Sequence, residues 1–318
     1  MSTRRASHAD SWYTGNNSEL SRNLVAVESS DEFAPPVASC KAIIAPHAGY
    51  TYSGPAAAWA YKSIDTGNIR RVFILGPSHH VYLDGCALTG CQKYATPLGD
   101  LPIDRDTIAE LAVSGKFSEM DLQTDEDEHS IEMHLPYIRK VFEGQDISVV
   151  PILVGAINKE KEELYGRILA PYLSRADTFC VVSSDFCHWG TRFQYTHYYP
   201  QTPPTQAIRL SRSNASTADL SSHPIHESIR ALDHEAMELL TMPPSTASLA
   251  HHDFAEYLQR TKNTICGRHP IGVLLGALTV LQQEGANPQL KWVRYEQSSQ
   301  CFTINDSSVS YASAYVTF

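Results

Sequence analysis

The chain has 318 residues, 42% of them hydrophobic, and carries a formal net charge of -10. That length suffices for one large α/β domain or two smaller ones with an ample core, and the acidic balance argues against a general nucleic-acid binder, which needs a basic surface. The opening "MSTRRASHADSWYTG" has two arginines with no apolar stretch behind them, and no window approaches the roughly 18 apolar residues of a spanning helix, so no signal peptide and no membrane insertion are expected.

In chain order, "KAIIA" (41–45), "RVFILG" (71–76), "ISVVPILVG" (147–155) and "TFCVVSS" (178–184) are β-branched runs, apolar on both faces, as in buried strands. Helical patterns alternate with them: the Ala-rich stretch 54–64, residues 104–115 with Asp104 as N-cap, and residues 158–173. Residues 197–224 are rich in Ser, Thr and Pro and read as a long, mobile surface insertion without catalytic groups. An apolar helix is expected over 269–285, from Pro270 to Gly285. The last two stretches, "LKWVRYEQSS" and "SVSYASAYVTF", alternate like strands with one solvated face, which suits antiparallel pairing. Strands alternating with helices, with no internal repeat or domain boundary, point to a single α/β domain with a mixed, mostly parallel sheet flanked by helices.

Three of these strands run into histidines. "KAIIA" leads to His47, "RVFILG" to His79 and His80, and "TFCVVSS" to Asp185, Cys187 and His188. Parallel strands deliver such residues to one sheet edge, where α/β proteins bind ligands. Any one of these histidines can equally cap a loop or bond a carbonyl, and the doubled histidine leaves open which ring points inward. Pro46 and Pro77 stiffen the loops, and Gly49 and Gly76 allow close approach. Cys187 is expected to face away and pack.

Seven cysteines, with no CxxC pair, read as free thiols in a reducing compartment, so the protein is expected in the cytoplasm, with the nucleus as a second location. Cys266 in "NTICGRHPIG" precedes a helix start, where positive potential favours thiolate, and Arg268 and His269 adjoin it. The alternative is a small buried residue. In "QTDEDEHSIEMHLPYI", His129 and Glu132 share a helix face and could hold a metal or orient a ligand histidine; a solvated first turn is the plainer alternative.

The blocks "APHAGYTYSG", "FILGPSHHV", "TDEDEHSIEMHLPY", "VVSSDFCHWG" and "NTICGRHPIGVLL", followed by "SSQCFTINDSSVSYA", resemble the Memo family, known as mediators of receptor-driven cell motility. The resemblance spans nearly the whole chain, with the blocks in the family's order. It implies a fold shared with the class III extradiol dioxygenases, which are non-haem iron enzymes. It also implies a pocket whose metal ligands are His47, His79 and Cys266. Asp185 and His188 would line the pocket, with His129 placed there by analogy with the dioxygenase pocket; on our reading Asp185 and His188 are the reactive pair and His129, His80 and Arg268 the substrate contacts. The dioxygenases use a carboxylate where Cys266 stands; the softer ligand favours copper(I) or zinc and makes ring cleavage doubtful.

Three functions follow. The leading one is a metal-binding redox protein using copper or iron, with zinc as a further candidate, and with ties to metal homeostasis, oxidant production and cytoskeletal signalling. Asp185 would orient His188. The second is a non-catalytic adaptor that binds a phosphotyrosine-containing peptide or cytoskeletal and signalling proteins, with Arg268 meeting the phosphate. The third is a hydrolase with Cys266 as nucleophile, His188 as base and Asp185 as orienter.

Overall fold

The β-branched runs become strands because their side chains are apolar on both faces and need cover on both. In chain order the main sheet contains β1 (Cys40–Ala45), β2 (Arg71–Pro77), β3 (Cys86–Thr89), β4 (Phe117–Met120), β5 (Ser148–Val154), β6 (Thr178–Ser183), β7 (His188–Trp189), β8 (Gln289–Gln297) and β9 (Ser308–Thr317). The structure is a computed structural model that describes residues 2–24, 35–203, 205–215 and 218–318.

At the centre, β1, β6, β2 and β5 lie side by side in that order and run parallel. Beyond β5 comes β3, antiparallel to it, and then β4. On the other side β9 pairs antiparallel with β1, β8 pairs with β9, and β7 joins the start of β9. The expected mixed, mostly parallel sheet is therefore present, and its final two strands are antiparallel as their alternation indicated.

Helix Tyr50–Lys62 connects β1 to β2 and helix Lys159–Leu173 connects β5 to β6. These crossovers travel in opposite directions along the sheet, so right-handed connections put the two helices on opposite faces. Ile44, Ile74 and Val181 between them are fully buried; truncating such an isoleucine to alanine costs about 2–5 kcal/mol.

Asp104 caps helix Arg105–Val113 by accepting from Thr107 N, and Asn158 caps helix Lys159–Leu173 by accepting from Lys161 N. Two helices begin earlier than their patterns indicate. The 54–64 pattern falls on a helix that starts at Tyr50 and ends at Lys62, and the 269–285 helix starts at Arg268, which leaves Pro270 in its first turn. Helices Ile225–Leu240 and Ala247–Thr261 and strands β3 and β4 were not apparent from the sequence. Within 197–224, His197–Tyr198 pairs with Ile208–Arg209, and Tyr198, Tyr199 and Leu210 are buried; residues 204, 216 and 217 of this segment lie outside the described residues.

The acid-rich run departs most from its sequence reading. It breaks at Glu128, whose extended backbone separates helix Leu122–Asp127 from the single turn His129–Glu132. Its acids are not a solvated turn: Asp125, Glu126, Glu128 and Glu132 are all buried. The fully buried Arg4 meets Asp125 at 3.1 Å and Glu132 at 2.7 Å. Unpaired, these charges would be prohibitive in the interior; in this network the N-terminal arginine and the acids satisfy each other.

Candidate metal centre

Because β1, β2 and β6 run parallel, their carboxyl ends bring His47, His79 and Asp185 to one edge of the sheet. Cys266 arrives from the loop before helix Arg268–Gln283. Close approach makes this possible. A Cβ at Gly267 would sit 2.3 Å from Ser183 O, and one at Gly76 would sit 2.6 Å from Ser130 Oγ. Any larger residue at either position would push the loops apart.

One ligand atom from each of His47, His79 and Cys266 falls within 4.8 Å of the others. His47 is buried, 2% exposed, and its Nε2 is 3.2 Å from Cys266 Sγ. Its tautomer follows from its neighbours. The Ser183 hydroxyl donates to Ser130 O at 2.7 Å, so Ser183 Oγ accepts from His47 Nδ1–H at 2.6 Å. That leaves the Nε2 lone pair facing the sulfur. His79 is set in the same way. Its Nδ1 donates to Glu128 Oε1 at 2.8 Å, and its backbone N–H donates to Glu128 Oε2 at 2.7 Å. Both imidazoles are thus held from behind and present Nε2, an arrangement that orients metal-binding histidines. Ligand distances of about 2.0–2.3 Å from an ion fit donors at these separations with small adjustments.

The electrostatics suit neutral imidazoles. Burial and then the neighbouring histidines, His79 first, push His47 well below its ordinary range. Burial also lowers His129, to about 3. Burial works against the Glu128 carboxylate, but the hydrogen bonds from His79 outweigh it and hold Glu128 at about 2. Cys266 corrects an expectation. Burial and the Asp185 charge push its thiol well above the ordinary range, and the pull of Arg268 and nearby backbone N–H groups does not prevail. The metal-free pocket therefore holds a thiol, and an incoming cation would have to displace its proton.

Asp185 and His188 meet different partners from those expected. Asp185 Oδ1 accepts from His47 N at 2.8 Å, so it pins the His47 loop. Burial pushes its carboxyl upward. Among the described residues, His188 Nδ1 faces the carbonyls of Phe186 at 2.9 Å and Thr264 at 3.1 Å rather than Asp185. Carbonyls only accept, so Nδ1 carries the proton and Nε2 keeps its lone pair. Cys266 contacts His47, not His188, so the nucleophile–base–orienter set of a hydrolase does not assemble.

His129 stacks on His79 with ring centroids 4.4 Å apart, and Trp12 lies 4.4 Å from His129. His80 is exposed, its ring 5.9 Å from that of His129. Arg268 is exposed and lines a separate cavity with Glu162, His251 and His269. Cys187 is fully buried, packed as its position suggested. Glu128, Ser183 and Thr264 were missed in the sequence. Glu128 stood inside the acid run, yet it lies beside His129, and its residue type is a common orienter of ligand histidines.

Fold and pocket define an α/β protein with helices on both faces of its sheet and a sulfur–imidazole pocket at the carboxyl edge. Residues 4–315 match the family described as Memo-like protein, and the chain belongs to the Memo family. It is 48% identical to Protein MEMO1 of Xenopus laevis over 311 residues, which cover 97% of this chain and 95% of that one. Identity to Protein MEMO1 of Homo sapiens is 46% over 320 residues, covering 99% and 97%. The Protein memo-1 homolog of Caenorhabditis elegans is 41% identical over 313 residues, covering 98% of this chain and 81% of that one. A crystal structure of an uncharacterized Escherichia coli K12 protein superimposes with a TM-score of 0.46 at 13% identity, covering 85% of this chain and 99% of that one. Among the described residues no helix is long and apolar enough to cross a membrane.

Proposed function

We propose that the chain binds copper or iron through His47, His79 and Cys266 and acts as a metal-dependent redox protein. The observation that carries this is the convergence of three ligand atoms from distant stretches within 4.8 Å. Two histidines and a thiolate favour copper(I), with zinc as a further occupant, over the two-histidine, one-carboxylate iron set. When bound, the metal supplies a redox or Lewis-acid centre.

The chain's own residues divide the remaining work. Ser183 and Glu128 fix the two imidazoles, and Asp185 fixes the His47 backbone. His188, whose Nε2 has no hydrogen-bond partner among the described residues, is the proton acceptor or substrate contact. His129 and Trp12 form an aromatic wall, and His80 stands at the mouth. Ring cleavage is not part of this proposal, because sulfur replaces the carboxylate on which that chemistry relies. Roles in metal homeostasis, oxidant production and cell motility belong to the same proposal and rest on family membership. An adaptor that binds a phosphotyrosine peptide is the alternative.

The test is anaerobic purification followed by measurement of bound copper and iron by mass spectrometry. The parent should retain metal, and His47→Ala and Cys266→Ser should not. Equal metal content in parent and variants would overturn the assignment. A phosphopeptide that binds more tightly than its unphosphorylated twin, and equally well to the metal-free protein, would favour the adaptor.

A further inference from the structure

We propose that Asp233, on helix Ile225–Leu240 and outside the pocket, is the positioning residue that sets Cys266 against His47 by bracketing the two loops that meet there. Asp233 is fully buried. Its Oδ1 accepts from Cys187 N at 3.2 Å and from Asn263 Nδ2 at 3.1 Å. Cys187 precedes His188, and Asn263 lies three residues before Cys266, so one oxygen holds both pocket loops.

The loops are joined directly at a second point. His188 N donates to Thr264 Oγ1 at 2.7 Å, and Thr264 Oγ1 donates to His188 O at 3.0 Å. Asn263 is oriented through its amide nitrogen alone. Nδ2 donates to Asp233 and, at 2.8 Å, to Tyr257 Oη, whereas its buried Oδ1 has no partner among the described residues. Turning that amide over would set oxygen against carboxylate. Asp233 therefore fixes the orientation of Asn263, and with it the start of the three-residue reach to Cys266.

The other carboxylate oxygen anchors the bracket to the sheet. Tyr295 Oη, from β8, donates to Oδ2 at 2.9 Å, and the Ser310 hydroxyl of β9 also bonds the carboxylate. The two sides differ in chemistry. The donors on the loop side are N–H groups, which cannot accept; the partners on the sheet side are hydroxyls, which can turn to accept. An asparagine at 233 can thus point its oxygen at the loops and its NH₂ at the hydroxyls, which preserves the bracket. Alanine removes it. Burial raises the Asp233 carboxyl to about 6, so the neutral isostere is compatible with this interior.

The experiment compares Asp233→Ala, Asp233→Asn and Tyr295→Phe with the parent, each checked by thermal melting. The first readout, in metal-free protein, is the rate of Cys266 alkylation by iodoacetamide, followed by peptide mass spectrometry; the other six cysteines are buried. The alanine variant should react about tenfold faster because the loop opens locally, and the other two should match the parent, Tyr295→Phe because the Ser310 hydroxyl still anchors the carboxylate. The second readout is copper(I) affinity by competition with a chromophoric chelator. It should fall about 10–100-fold in the alanine variant only.

This second readout rests on the metal reading, whereas the first does not; a parent that binds no copper would remove that reading and leave the alkylation rates to decide on Asp233. A folded Asp233→Ala with the parent's alkylation rate overturns the proposal. So does an asparagine variant as reactive as the alanine one, since that would assign the residue to charge balance. Should Asp233→Ala fail to fold, Asn263→Ala removes only the loop's side-chain donor and must show the same accelerated alkylation for the proposal to stand.

Discussion

Two histidine clusters flank the start of helix Arg268–Gln283 and differ in where a carboxylate stands. In the pocket, Glu128 bonds His79 from behind, at Nδ1, and the Nε2 edge stays free. In the other cluster Glu162 sits between two rings instead, accepting from His269 Nδ1, three residues beyond Cys266, at 2.6 Å and from His251 Nε2 at 2.7 Å. There the imidazoles use their convergent nitrogens on the carboxylate, and the cluster closes on itself. Histidine density is therefore a poor guide to a metal centre; what matters is whether the lone pairs converge on an empty point or on an acid already in place.

The sharpest way to break this contrast is to remove one member from each cluster. Cys266→Ser should lower copper(I) affinity by about 1,000-fold, equivalent to about 4 kcal/mol, with metal-free stability little changed, as chelator competition and urea unfolding would show. Glu162→Ala should do the reverse. It strips two histidines of their shared acceptor, so urea unfolding should register a loss of about 3 kcal/mol, while metal content stays at the parent level. Loss of metal from the Glu162 variant, with the fold intact, would show that the two clusters are not separate.

Glu128→Gln tests the orienter. It should weaken metal binding by about 10–100-fold, because the amide is a poorer acceptor for the His79 ring N–H. Acid should act more gently. His47 lies well below its ordinary range and His129 near 3, so the folded chain binds fewer protons than the unfolded one between the unfolded value of about 6.5 and those depressed values. Their stabilising contribution is present above about pH 6.5 and is lost as pH falls through this window, at up to about 1.4 kcal/mol per pH unit for each group. Urea midpoints of metal-free protein at pH 7 and pH 5.5 should fall accordingly, with a shallower fall in His129→Asn. The smallest effect belongs to His252, Asp253 and Glu256, a ligand-like trio on an outward helix face. His252→Ala should leave high-affinity metal binding unchanged and shift stability by less than about 0.5 kcal/mol.

The sequence showed the central strands because both of their faces are apolar, and it showed His47, His79 and Cys266 because each stands where a strong pattern stops or starts. What it hid has a common cause. Glu128 looked like one more acid in a soluble run, and only the fold reveals that Arg4, more than a hundred residues earlier, buries this stretch. The Asp185–His188 pairing seemed natural three residues apart, yet the strand end turns the two side chains to different partners, His47 N and a pair of carbonyls. Cys266 at a helix start promised a thiolate, but burial outweighs the positive potential there. Asp233 offered no sign, because its partners Cys187, Asn263, Tyr295 and Ser310 come from four other parts of the chain.

His47 and Cys266 touch although 219 positions separate them. A nascent chain emerging from the ribosome exposes both imidazoles well before it exposes the sulfur, and loop closure over that span awaits the docking of helix Arg268–Gln283. On the proposed metal reading, loading would wait until Cys266 has been made and docked, since before then the chain has no finished trap in which to seize a stray ion.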